Sequence, residues 1–234
     1  MTLIQLKKDL YNIANPTKAK ILQRFFKTGP GQYGEGDIFL GVMVPDSRKI
    51  ARKYLNLSFQ DIKELLKSKI HEERLTALLL LGEKFKKGNY QEKENIISFY
   101  LQSTQYVNNW DLVDLSAHQI LGEYLLLNPE EKYLLGKLAK SSLVWERRIS
   151  MIATYAFIKR NHFQETLKIS EILLNDKHDL IHKAVGWMLR EVGKRDQEAE
   201  ENFLKKYYKI MPRTMLRYAI ERFDEKKKKL FMKK

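Results

Sequence analysis

Apolar positions recur along this chain with a helical period. In the stretch HEERLTALLLLGEKFKKG (71–88), Leu78 and Leu79 lie three and four residues after Leu75, Phe85 lies six after Leu79, and Gly88 comes next as a stop. Asn15-Pro16 reads as a helix start, because asparagine can cap the first free N–H groups and proline tolerates the first helical position. Asn128-Pro129 repeats the device before EEKYLLGKLAK; Ser58 is placed to cap FQDIKELLKS, and Pro212 to open RTMLRYAIERF. The pattern predicts helices over 2–14, 16–27, 45–55, 59–69, 71–87, 90–104, 109–127, 129–141, 144–160, 163–175, 178–195, 198–210 and 212–223, with no set of alternating strands. Helix pairs arrive about every 35–40 residues, the period of helical repeats of the HEAT kind. A plain helical bundle accounts for the same periodicity.

Charge sharpens this picture. The 234 residues carry 43 Lys+Arg against 29 Asp+Glu, for +14 at pH 7. The last segment, Asp224 to Lys234 (DEKKKKLFMKK), holds six lysines and two acids, so the remainder still carries +10. The expected organisation is one domain over 1–223 and a basic C-terminal tail or fraying helix end over 224–234. Such charge favours polyanions through counterion release, with nucleic acid the first candidate and an anionic membrane the second; solubility alone also accounts for excess lysine. Thr28 to Asp37 (TGPGQYGEGD), with four glycines and a proline, is a loop by composition, either a mobile DNA-contacting segment or a connector.

Other classes drop out. Without cysteine there is no disulfide framework or thiol nucleophile. The N-terminus lacks the apolar core of a signal peptide, and no stretch approaches the roughly 18 apolar residues of a membrane span, so a soluble cytoplasmic protein is expected. There is no GxxxxGKS/T phosphate loop, no GxGxxG after a strand and no HExxH pair. His71, His118, His162, His178 and His182 are scattered. Only His178 and His182 share a helix-facing spacing, and adjacent Lys183 makes that pair a poor metal site.

Each of the three tryptophans sits beside charge. Trp110 precedes Asp111 and lies one helical turn before Asp114; Trp145 is followed by Arg147 and Arg148; Trp187 has Lys183 one turn before it and Arg190 nearly one turn after. An indole face beside a carboxylate suits a cation. Tryptophans in helical repeats are, however, mostly core.

The segments NNWDLVDLSAHQILGEYLL, SSLVWERRISMIATYAFIKR and DLIHKAVGWMLREVGKR, in this order and spacing, resemble the signature helices of the AlkD family of alkylpurine DNA glycosylases. FLGVMVPDSRKIAR (39–52) resembles that family's FLG…P…R element, and the similarity runs from about Asn15 to Phe223. The resemblance implies an all-α HEAT-like solenoid with a concave basic face. It implies Asp114 as the catalytic carboxylate, Trp110 and Trp187 flanking the lesion's deoxyribose, and Arg148 gripping the backbone. Phe25 stands where the family can have a tyrosine, so an aromatic is kept and a hydroxyl lost. Arg48 keeps a basic place, whereas Met43 and Val44 replace expected polar DNA contacts. Lys183 and Arg190 complete the DNA-binding set.

The activity so implied is hydrolysis of the glycosidic bond of cationic purines, 3-methyladenine and 7-methylguanine, in duplex DNA. The product is an abasic site, formed without strand cleavage, metal or organic cofactor. The expected partner is alkylated double-stranded DNA, with no membrane and no obligate protein partner, and the expected state is a monomer, nucleoid-associated through DNA. A noncatalytic DNA-structure binder on the same scaffold is the competing reading.

Overall fold

Helices account for nearly all regular structure in the computed structural model, which describes residues 1–233. The chain is all-α, as expected, and its helices stack as repeats. Packing divides it into two compact units, Met1–Ser116 and a second beginning at Ala117.

The first unit contains α1 (Leu3–Asn12), α2 (Pro16–Phe25), α3 (Val44–Lys53), α4 (Phe59–Leu66), α5 (His71–Lys87), α6 (Tyr90–Gln102) and α7 (Trp110–Ser116). Its axis is α5, which packs against α1, α3, α4, α6 and α7. Every residue of α5 from His71 to Leu81 is buried, including the polar run His71, Glu72, Glu73 and Arg74. Buried charges are tolerated only when paired, and these are. Glu72 accepts the backbone N–H groups of Leu40, Gly41 and Val42 at 2.9, 2.8 and 3.2 Å, and Glu73 pairs with Lys7 at 3.0 Å. The backbone that follows Phe39 is therefore fastened to the start of α5. Gly41 has φ +81°, and a side chain there would strike the Asn15 carbonyl.

Helix starts follow the sequence where a cap was read. Asn15 accepts from Lys18 N at 3.0 Å, and Ser58 and Asp61 form a capping box. Asn128 departs from the expectation. It is buried, and its amide donates back to the Tyr124 carbonyl at 3.1 Å, so Pro129–Lys132 forms only a 3-10 turn before the next helix.

The second unit contains a π turn (His118–Gly122), α8 (Glu123–Leu127), α9 (Tyr133–Ala139), α10 (Val144–Ala153), α11 (Tyr155–Ile158), α12 (Gln164–Ile172), α13 (Asp179–Gly193), α14 (Gln197–Tyr207), α15 (Arg213–Ala219) and α16 (Glu225–Met232). Its axis is α13, packed against α10, α12, α14 and α15.

Two expected helices are interrupted. The span 109–127 contains the π turn, in which Gly122 N reaches back five residues to the Ala117 carbonyl at 3.0 Å. The span 144–160 breaks at Thr154, whose hydroxyl bonds the Met151 carbonyl at 2.7 Å. Residues 224–233, expected as a basic tail or a fraying helix end, carry a docked helix. Asp224 caps it, Phe231 is buried against Tyr208 and Phe223, and Arg213 holds the Met232 carbonyl at 3.0 Å. Lys234, the end of that expected tail, lies outside the described residues. Among the described residues no helix is long and apolar enough to cross a membrane.

Candidate functional site

The chemistry of the first unit gathers at the start of α7. His71, the first residue of α5, points both ring nitrogens at carboxylates: Nε2 lies 2.7 Å from Asp111 and Nδ1 3.2 Å from Asp37. A neutral imidazole has only one N–H, so two flanking carboxylates call for the imidazolium. Burial pulls the His71 pKa down. The Asp111 charge and the hydrogen bonds to Asp111 and Asp37 outweigh it and hold the group at about 8. Asp37 is pushed up by burial, but the His71 hydrogen bond and the Arg74 charge bring it below its ordinary value. Arg74 donates to Asp37 at 2.6 Å and to the Ser68 carbonyl at 2.8 Å. Two cations and two anions thus neutralise one another below the surface.

This network fixes what the sequence singled out. Asp111 is the second residue of α7, and its other oxygen accepts the Leu112 N–H at 2.8 Å. Asn109 is fully buried, within 3.5 Å of Asp37, and accepts the Trp110 N–H at 2.7 Å. Trp110, between them, is half-buried. Phe26 stacks on its indole at 5.1 Å and 19°, Phe25 meets it edge-on at 5.9 Å, and its Nε1–H donates to the Tyr33 hydroxyl at 3.1 Å. Phe26 also stacks on Phe39, which stacks on His71. Asp114, half-buried, lies one turn after Trp110 on α7.

Phe25 and Trp110 are thus brought together, and Phe25 remains 60% exposed. Arg48, on α3, is half-exposed and has no ion-pair partner among the described residues. Met43 stands exposed at the N-cap of α3 without a side-chain hydrogen bond, as its lack of an acceptor dictates, and half-buried Val44 opens that helix.

In the second unit, Trp187 lies on α13, half-buried. Its Nε1–H donates to Glu191 at 3.1 Å, Lys194 reaches the same oxygen at 2.5 Å, and the Tyr155 ring lies 6.4 Å away. Lys183 pairs with Asp179 at 2.7 Å, and Arg190 pairs with Glu221. Arg148, on α10, is buried and donates to the Leu180 carbonyl of α13 at 2.6 Å. Arg147 has a structural task, binding Asp176 and the carbonyls of Ser141 and Ser142. His178 and His182 make backbone bonds, to Leu180 N and the Asp176 carbonyl.

Sequence reading passed over His71, Asp37, Arg74 and Asn109. The only signal was HEER, four polar residues opening a helix that is otherwise apolar. Spacing could not show that Asp37 and Asp111 would meet the first of them.

The sequence matches the DNA alkylation repair enzyme family over residues 6–223. No curated protein matches it. Among solved structures, it is similar to a protein from Enterococcus faecalis described as a predicted DNA alkylation repair enzyme, with a TM-score of 0.72 at 17% identity, over 91% of this chain and 97% of that one. It is also similar to AlkD2 from Streptococcus mutans, with a TM-score of 0.57 at 18% identity, over 95% and 97% of the two chains. At such identities these likenesses speak for the fold, whereas the family match spans almost the entire sequence: the chain belongs to the DNA alkylation repair enzyme family.

Proposed function

We propose that the protein is a monofunctional DNA glycosylase that releases cationic N3- and N7-alkylated purines from duplex DNA. The observation that carries this reading is α7, on which Trp110 and Asp114 sit one turn apart at the end of a buried ionic network that leaves little freedom in the helix start. Alkylation at a ring nitrogen makes the purine a cation and a good leaving group. As the base departs with the bonding electrons, positive charge passes to the deoxyribose.

Asp114 would stabilise that charge and orient the water that attacks the anomeric carbon; the water's proton passes by way of the carboxylate to solvent, leaving a neutral alkylated base and a hydroxyl on the sugar. Trp110 would meet the sugar on the face opposite Phe26, an attraction that grows as the sugar becomes cationic. Resemblance assigns Trp187 a second sugar contact, and Arg148 and Arg48 contacts with the DNA backbone; Lys183 and Arg190, one turn either side of Trp187 on α13, would add to that binding set. No metal or organic cofactor takes part in this reading.

The reading of a noncatalytic DNA-structure binder draws on Met43 and Val44, which offer apolar side chains where polar contacts were expected, and on the internal pairing of Lys183 and Arg190. The deciding experiment is release of 7-methylguanine from a duplex carrying one such base. Wild type is expected to yield abasic product, and a folded Asp114→Asn variant to lose roughly 100-fold or more in rate, as for a removed electrostatic stabiliser, while still binding DNA. Equal rates would remove Asp114 from its role; no product from wild type would favour the binder.

A further inference from the structure

The glycine-rich segment 28–37 is fastened at both ends. At one, Thr28 Oγ1 donates to the Gln23 carbonyl at 3.0 Å and accepts from the Gln23 amide at 2.8 Å; at the other, Asp37 enters the buried ionic network while its carbonyl takes the Gln23 amide at 2.6 Å. Between these anchors the loop folds back on the end of α2. Gly34 N bonds the Lys27 carbonyl at 3.2 Å, and a side chain at Gly34 would press on the Phe26 carbonyl. Gly31 and Gly36, at φ +72° and +82°, supply turns that other residues rarely adopt. The path delivers the Tyr33 hydroxyl to the indole nitrogen of Trp110, 77 residues further along the chain.

That contact does something the rings around Trp110 cannot. Stacking on Phe26 sets the distance and tilt of the indole but leaves it free to slide and turn within its own plane. A hydrogen bond at Nε1 removes that freedom, because it has a direction. Phe25, edge-on to the indole, and Phe26 have no polar side-chain atom to bond its nitrogen.

We propose that Tyr33 is a positioning residue for base release, holding the plane of Trp110 from the glycine-rich loop. The inference rests on the glycosylase reading of the site. It makes the loop part of the functional apparatus, not a connector, and gives Tyr33 its effect on the chemical step and not on DNA affinity. Supporting residues of this kind matter because a reacting geometry tolerates only small displacements.

The test compares wild type, Tyr33→Phe and Tyr33→Ala in three readouts: the single-turnover rate of 7-methylguanine release, affinity for the same duplex, and the 15N–1H resonance of the Trp110 indole, assigned by its loss in Trp110→Phe. Tyr33→Phe is expected to move that resonance and to slow release roughly three- to tenfold, the worth of one ordinary hydrogen bond, with affinity unchanged. Tyr33→Ala should be slowed at least as much. An unmoved resonance overturns the contact, and a moved resonance with wild-type release overturns the positioning role. Slowing in Tyr33→Ala alone would assign the effect to ring packing and overturn the role of the hydroxyl. If wild type releases no base, the glycosylase reading falls and takes the positioning role with it; release by wild type with an unaffected Tyr33→Phe removes Tyr33 alone.

Discussion

Trp110 and Trp187 occupy comparable places, each half-buried on a helix of its own unit, yet they are held by different means. Trp187 donates to Glu191, four residues on in the same helix, and Lys194 closes on the same carboxylate. Glu191 and Lys194 thus both lie within seven residues of it, and the Tyr155 ring adds an aromatic neighbour. Trp110 draws on distant segments of the first unit: Tyr33 at its nitrogen, Phe26 on its face, and beside it Asp111, bonded to a histidine 40 residues away, and Asn109, bonded to an aspartate 72 residues away. A local clamp survives small movements of its neighbours. A clamp assembled from distant segments ties the indole's position to the folding of all of them.

The largest expected difference lies at His71. Replacing it with alanine strands the Asp111 carboxylate and weakens the hold on Asp37, and breaking a buried ion pair in this way costs about 3–5 kcal/mol. Urea unfolding should register that loss and the Trp110 indole resonance should broaden or move, with that of Trp187 unaffected. A loss under about 1 kcal/mol, the range of an exposed pair, would mean the network is not holding α7.

The next effect is one of pH. The folded pKa of His71 is raised to about 8, so its stabilising contribution is complete below about 6.5 and is lost as pH rises through 8. The shift corresponds to roughly 2 kcal/mol. The second unit has its own titrating group in Glu200, a buried acid that burial, and then the charge of Glu201, push up to about 8 against the attraction of Arg190. Its raised pKa makes the folded state hold a proton the unfolded state releases, so stability falls across about 4.5 to 8. Unfolding measured from pH 5 to 9 should therefore decline for wild type. His71→Gln should flatten only the part above 6.5, and Glu200→Gln the part below 8. Matching slopes in all three proteins would remove both groups as the source.

The smallest effect should be at the local clamp. Glu191→Ala deprives Trp187 and Lys194 of one shared acceptor, for about 1 kcal/mol in unfolding and a shift of the Trp187 indole resonance. A cost above about 3 kcal/mol would show that Trp187 is as widely tied as Trp110.

Much of the helical order was legible because its signals are local. Asn15, Ser58 and Pro16 act within a turn of where they stand, and the apolar spacing of α5 requires no knowledge of its partners. The interruptions at the π turn and at Thr154 were not legible: Gly122 stands where a side chain would strike Ala153 and Ala156, and that crowding exists only once α10 and α11 are packed. Phe231 likewise turns a lysine-rich end into a docked helix because Tyr208 and Phe223 offer it an apolar seat.

The sequence by itself determined the helical class, the caps at Asn15 and Ser58, the excess positive charge, and the placing of Asp114 one turn from Trp110, since each depends on neighbours within a few residues or on composition. Only the tertiary structure decided that His71 would be buried between Asp37 and Asp111, that the backbone of Leu40, Gly41 and Val42 would be tied to Glu72, and that Tyr33 would reach Trp110. Hydrogen bonds and ion pairs of that kind join segments whose separation in the chain carries no pattern. They become determinate only when burial removes water as the competing partner.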